Sequence, residues 1–299
     1  MERWRRRWSV GARQPGPWTW ACHDRQNVCA VSAHPGHKLH YDCSLEELPS
    51  TYREAWLRLA PDAATAGYLA RAERQRLSLL STTLVRLASF YFSDYVVNGL
   101  LGTYPMHLAS TDQWKRLIGS RPGGRLLDVG AGSGEVTREL APLFDEVTVT
   151  ETARSMTWRL SRLGYRVHFA DLCDQAPPGG PFDAVALLNV LDRCQRPSAL
   201  LDAALALLRP AGKLLLSLPL PYDPVAYDGP YLVDPEDPLA CRGDTWTAAA
   251  TSLVQDVLTP RGLVLQAITR LPYLTGGDAR RALVVLDAVV VVAIQPEAR

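Results

Sequence analysis

The sequence predicts an α/β protein built on an open, mostly parallel sheet, and three observations carry that prediction. Short apolar runs ending in acids alternate with stretches of helical period between residue 125 and about residue 220. The first run, R-L-L-D-V (Arg125 to Val129), leads into glycines at every second position, Gly130, Gly132 and Gly134. The connections are short, which calls for right-handed crossovers and parallel strands.

Taken in order, residues 1 to about 20 are basic, Trp-rich and broken by Pro and Gly, so an irregular terminus is expected. The stretch from Trp20 to Cys43 mixes Cys22, Cys29, His34, His37 and His40, but its spacing is poor for zinc, and a packed or solvated loop is the better reading. Leu45 to Leu59 and Ala66 to Val97 read as helices. In the second, Leu77, Leu80, Leu84, Leu87 and Tyr91 share one face, with room for a break near Thr82. A glycine-rich loop follows from Val97 to Met106. S-T-D-Q (Ser110 to Gln113) starts a helix running to Ile118, and Arg121 to Gly124 form the turn into the first core strand.

The second and third strands are Glu146 to Glu151 and Tyr165 to Ala170, and the fourth is Phe182 to Leu188. Ala199 to Leu208 is a helix ended by R-P-A-G (Arg209 to Gly212), and Lys213 to Leu218 is the fifth strand. Residues 219 to 245 hold too many prolines to be regular throughout, and a long excursion there is a functional feature. Thr247 to Leu258 is the next helix. Leu263 to Thr269 and Val284 to Ile294 close a seven-stranded sheet as an antiparallel pair at its edge.

Composition bounds the function. Apolar residues make up 47% of the 299, and 32 Lys plus Arg nearly balance 31 Asp plus Glu, so no broad nucleic-acid-binding face is indicated. No apolar run reaches the length of a membrane span. Six scattered cysteines point to a reducing compartment, with the cytoplasm as the default; the opening M-E-R-W-R-R-R-W lacks the apolar stretch of a secretory signal.

The glycine turn lets a ligand approach the main chain where a Cβ would block it. It is not a phosphate-gripping P-loop, and its G-x-G-x-G spacing departs from the dinucleotide fingerprint. Glu151, at the next strand end, is placed to accept both hydroxyls of a ribose. Asp171, at the third, is placed to accept from an adenine amine. The fourth strand ends in L-N-V-L-D-R-C (Leu188 to Cys194), where Asn189 and Asp192 serve either as turn formers or as groups facing a substrate. Arg193 can pair with Asp192 or with a substrate carboxylate. T-R-L-P-Y-L (Thr269 to Leu274) ends the sixth strand, and Tyr273, beside a proline turn, either presents its hydroxyl or packs in the core.

The glycine loop resembles motif I of the S-adenosylmethionine-dependent methyltransferases. N-G-L-L-G (Asn98 to Gly102), L-L-D-V-G-A-G-S-G-E-V-T (Leu126 to Thr137), L-N-V-L-D-R-C and T-R-L-P-Y-L together resemble the DREV family, over roughly residues 20 to 292. The resemblance implies a seven-stranded Rossmann-like class I methyltransferase sheet with a helical segment at 21–120 capping the substrate and the core at 121–299. It also implies transfer of a methyl group from S-adenosylmethionine, leaving S-adenosylhomocysteine, to the pros nitrogen of histidine in His-x-His motifs of protein substrates, x being small. Asp128, Gly130, Ala131, Gly132, Glu151, Thr152, Asp171, Leu172 and Asn189 would then hold the cofactor. Asp192, Asn189 and Tyr273 would face the acceptor, with Asn98, Gly99, Arg193 and Arg270 nearby. No metal, nucleic acid or membrane insertion is implied, and a monomer is expected. Ser133 stands where family members carry Asp. Leu283 and Val284 stand where they carry tyrosines, which puts the peptide preference in question. A small-molecule methyltransferase is the competing reading.

The chemistry agrees with the resemblance. Imidazole, of pKa about 6.5, is largely a neutral nucleophile at pH 7, so an enzyme must select and align a nitrogen rather than activate it. A carboxylate accepting the tele N–H fixes the tautomer and stabilises the charge growing on the ring. Asp192 is the candidate for that role, with Asn189 orienting. Alignment can be worth about 7–11 kcal/mol.

Overall fold

The computed structural model describes residues 39–74, 105–177, 179–228, 231–276 and 283–296. Its main sheet has eight strands: β1 (Met106–His107), β2 (Arg125–Val129), β3 (Glu146–Glu151), β4 (Arg166–Phe169), β5 (Phe182–Leu188), β6 (Leu208–Pro219), β9 (Val264–Gly276) and β10 (Leu283–Ile294). Their order is β1-β9-β10-β6-β5-β2-β3-β4. The strands from β6 to β4 are parallel, and β10 is antiparallel to both of its neighbours. A separate hairpin, β7 (Ala226–Asp228) with β8 (Tyr231–Val233), lies in the proline-rich excursion.

Seven α-helices accompany the strands among the described residues: α1 (Ser50–Glu54), α2 (Ala63–Arg74), α3 (Thr111–Ile118), α4 (Glu135–Leu140), α5 (Arg154–Arg162), α6 (Pro197–Leu205) and α7 (Trp246–Ser252). The sheet separates two apolar layers. Leu201, Ala204, Leu253 and Val257 pack on one face with Val289 and Val291. Trp114, Leu117, Ile118 and Leu140 pack on the other with Val290 and Val292. Helix α3 starts where the capping pattern placed it: Ser110 Oγ accepts from the Gln113 amide, and the Gln113 side chain accepts from the Ser110 amide in return.

Several expectations need correction. The sheet gains an eighth strand because Met106 and His107 pair with Thr275 and Leu274. The closing pair is not at an edge: β10 is inserted between β6 and β9, and Ala288 to Ala293 are buried without a polar break. An uninterrupted β-branched run is the pattern of a strand covered on both faces. Strand β9 continues through Pro272, so Tyr273 sits in a strand and not beside a turn. Proline fits there because Asp287, its partner in register, turns its carbonyl toward Leu220 of the β6 side. The missing N–H of Pro272 therefore faces away from β10, where no ladder bond is needed.

The helix expected over Leu45–Leu59 is broken. A 3-10 turn (Leu45–Glu47) precedes Pro49 and α1, and the chain then extends so that Ile268 donates to Ala55 and accepts from Leu57. Pro49 favours an extended neighbour before it and a helix start after it. The R-P-A-G stretch belongs to β6, where the register shifts and Ala211 has φ 58°. The helix after the excursion runs as α7 only to Ser252 and then as a π-helix over Leu253–Leu258. The leucine stripe at 77–91, the break near Thr82 and the Asn98 to Gly102 motif lie outside the described residues. Among the described residues no helix is long and apolar enough to cross a membrane, and no three His, Cys, Asp or Glu side chains group as metal ligands do.

Candidate functional site

Strands β2, β3, β4, β5 and β6 run the same way, and β9 runs with them because β10 reverses between. Ligands of open α/β sheets bind beyond the carboxyl ends of such strands. At that end of β2 the chain turns through Gly130, Gly132 and Gly134, whose φ angles are 69°, 58° and 84°. A Cβ on Gly130 would stand 2.7 Å from Val190 Cγ2, so the loop is closed to any other residue for steric as well as conformational reasons. The amides of Gly130 and Ala131 donate to the Thr150 carbonyl, which ties the loop to β3.

Two buried acids support this turn. Asp128 Oδ2 accepts from Thr137 Oγ1 at 2.6 Å, and burial pushes its carboxyl up to about 7, a rise opposed by the Thr137 bond and helped by Glu151. Glu151 Oε2 accepts from the Gly132 amide at 3.0 Å, while Oε1 accepts from Thr152 and Ala153. Beyond β4, Asp171 is partly exposed; it accepts from the Cys173 amide at 2.9 Å and from Arg196 at 3.2 Å. Leu172 beside it is buried.

At the end of β5, Asn189 adopts φ 56°, an unusual left-handed conformation for a residue with a side chain. Its Oδ1 accepts from the buried Ser217 hydroxyl at 2.7 Å, and its Nδ2 is buried without a partner among the described residues. Asp192 is 5% exposed. Arg193 Nε donates to its Oδ2 at 3.1 Å, and Oδ1 is buried with no partner among the described residues. Burial raises its carboxyl above the ordinary range, against the pull of Arg193.

Tyr273, on β9, completes the group. Its hydroxyl donates to Met106 Sδ on β1, and burial pushes the phenol well above its ordinary value. The Asp192 charge adds to that rise, and Arg193 and the Asn189 side chain oppose it. Two residues of the turn after β5 thus meet a third, some eighty positions later in sequence, at one end of the sheet. Arg270 does not join them. It lies on the other face of β9, paired through both nitrogens with Asp287, bonded at 2.9 Å to the Asp42 carbonyl and stacked over Trp246 at 5.1 Å. Arg193 is turned to Asp192, and Asn98 and Gly99 are outside the described residues.

Sequence reasoning missed Thr137, Ser217 and Met106. Thr137 follows the glycine turn by one helical turn and could have been noticed as a partner for Asp128. Ser217, in a leucine-rich strand, and Met106, at the end of a loop, gave no signal of their own. A cavity of about 270 Å³ lined by Arg121, Arg209 and Lys213 opens at the opposite, amino end of the strands, away from this site.

The sequence profile of the DREV methyltransferases matches residues 40–295. Among curated relatives, ubiquinone biosynthesis O-methyltransferases of Xanthomonas campestris pv. campestris (strain B100) and Xylella fastidiosa (strain 9a5c) are 36% and 34% identical over 106 and 105 residues. Each alignment takes in 32% of this chain and 43% or 42% of the relative, so the chain spans less than half the length of the curated relatives it matches. Among solved structures, YcgJ of Bacillus subtilis is 14% identical with a TM-score of 0.42, over 60% of this chain and 94% of its own. The N-methyltransferase NodS of Bradyrhizobium japonicum WM9 with S-adenosylhomocysteine is 14% identical with a TM-score of 0.38, over 77% and 98%. The glycine turn at the carboxyl end of β2, with φ positive at Gly130, Gly132 and Gly134, and the buried acid behind it fit S-adenosylmethionine. With its sheet order, its glycine turn and a family match over nearly the whole described length, the chain belongs to the DREV family of S-adenosylmethionine-dependent methyltransferases.

Proposed function

We propose that the protein methylates the pros nitrogen of histidine in His-x-His segments of protein substrates, x being a small residue. The observation that supports this reading is Asp192 Oδ1, a buried acceptor atom with no partner among the described residues, beside Asn189 and Tyr273. A buried acceptor without a donor is costly, and an imidazole N–H supplied by a substrate would satisfy it. In this reading Asp192 accepts the tele N–H and so leaves the lone pair on the pros nitrogen. Asn189 orients the ring with its side-chain amide, and Tyr273 lines the pocket. Arg193 holds Asp192 in place and favours its ionised form against the effect of burial.

Asp128, Gly130, Ala131, Gly132, Glu151, Thr152, Asp171 and Leu172 would hold the cofactor, which supplies an electrophilic methyl group when bound. Glu151 would exchange some of its bonds to loop amides for ribose hydroxyls. Arg270 serves instead as a tie between β9 and β10 that fixes where Tyr273 stands.

The test is incubation of the protein with labelled S-adenosylmethionine and a His-Ala-His peptide, beside the two peptides in which either histidine is alanine. Amino-acid analysis should find label in pros-methylhistidine. Label in tele-methylhistidine would overturn the role of Asp192, and label only in an added small phenol would favour the small-molecule reading that the ubiquinone relatives suggest.

A further inference from the structure

Three of the five large apolar side chains exposed among the described residues, Trp158 on α5, Leu163 just after it and Phe169 on β4, lie along one stretch of chain. They are 63%, 56% and 50% exposed. Arg154, Trp158 and Arg162 recur at every fourth residue and so form one stripe along α5. The Arg162 guanidinium sits 5.1 Å from the Trp158 ring centroid, and that of Arg154 sits 4.8 Å from Phe169. Arg159 and Arg166 are paired with Glu135 and Glu146. Arg154 and Arg162 have no carboxylate partner among the described residues.

Strand β4 is also the open end of the sheet. The Ala170 amide donates back to the Glu151 carbonyl, so residues 166, 168 and 170 direct their backbone groups to β3. By alternation Val167 and Phe169 direct theirs outward. A short row of backbone donors and acceptors is therefore bordered by exposed apolar surface and by two cations without a carboxylate partner among the described residues.

We propose that this edge docks an extended, acidic peptide segment of a protein partner. The segment adds as a strand beside Val167 and Phe169, and its carboxylates pair with Arg154 and Arg162. The guanidinium groups lie over the aromatic rings, which leaves their N–H edges free for planar carboxylates. The same stacking occupies one face of each ring, a face on which the bases of a single-stranded nucleic acid would otherwise stack. The edge lies three strands from β5, roughly 14 Å at ordinary strand spacing, so it is separate from Asn189, Asp192 and Tyr273.

The probes are a fluorescein-labelled Glu-Val-Glu-Val-Glu-Val-Glu peptide, its Gln-Val counterpart and a labelled twelve-residue oligothymidylate. Fluorescence anisotropy should detect the acidic peptide alone, and Arg154→Glu/Arg162→Glu should weaken it about tenfold or more through loss of two charge-assisted contacts. Hydrogen exchange on the unmodified protein should show the Val167 and Phe169 amides protected when the acidic peptide is added, a change that a loose charge contact would not produce. Equal binding of the neutral peptide, stronger binding of the oligothymidylate, an unaffected double variant, or no protection of those amides would each overturn the proposal.

Discussion

At the scale of single residues, two buried carboxylates respond to pH in different observables. Asp192 must be ionised to stabilise the positive charge growing on the imidazole, and burial raises its carboxyl. Turnover at saturating peptide should therefore fall as pH drops, beginning above the range of an ordinary carboxylate. Asp192→Asn should bind the cofactor normally and lose roughly 10²–10³ in kcat, the usual range for removing one preorganised group that stabilises transition-state charge. Isothermal titration and single-turnover rates separate the two effects, and unchanged turnover would end its assigned role. Asp128 bears on stability instead. Its carboxyl titrates near 7 in the folded protein against 3.8 as the ordinary value, so between those values the folded state binds more protons than the unfolded one. Stability from this group is full below about pH 4 and is lost as pH rises toward 7. Asp128→Asn should flatten the fall in Tm between pH 5 and 8, and an unaltered slope would show that Asp128 ionises without penalty.

At the scale of elements, α3 is fixed by its first residue. Ser110 caps the helix and also donates to Asp62, which holds the Thr65 amide and hydroxyl at the start of α2. Ser110→Ala should cost about 1–2 kcal/mol, at the upper end for a helix cap because two helix starts share the group. Denaturant melts will measure it, and a loss of a few tenths would show the two starts to be independent. This cap was legible in the sequence, as were β3 and β5 to the residue, because short apolar or β-branched runs and S-x-x-Q are local signals. The path of Leu45–Leu59 was not, since its pairing with Ile268 is a contact more than two hundred positions away. Strand β10 was recognised as a strand, but its place in the sheet was not, because insertion between β6 and β9 leaves only a trace in its unbroken burial.

At the scale of the whole molecule, one side of the site is built by the glycine turn and β3, the other by β5 and β9. Their join can be read as ligand-linked stability. Saturating S-adenosylhomocysteine at a hundred times its Kd should stabilise the fold by about 2.7 kcal/mol. Gly130→Ala should lose that gain, as its Cβ would meet Val190 and its φ would be strained. A rise in Tm for the variant equal to that of the parent would place the cofactor elsewhere. The sequence made the acids of the site legible one by one, yet not the convergence of Tyr273 with Asp192. The two are joined through a sheet order that local patterning does not encode.

The insertion of β10 between two strands made earlier sets a timetable for biosynthesis. While residues 283–294 are still inside the ribosome, β9 has no neighbour on its inner side, and Tyr273 has no fixed distance from Asn189. The nascent polypeptide can shape its nucleoside half first, but it becomes competent to present an acceptor only after the final strand threads into the gap.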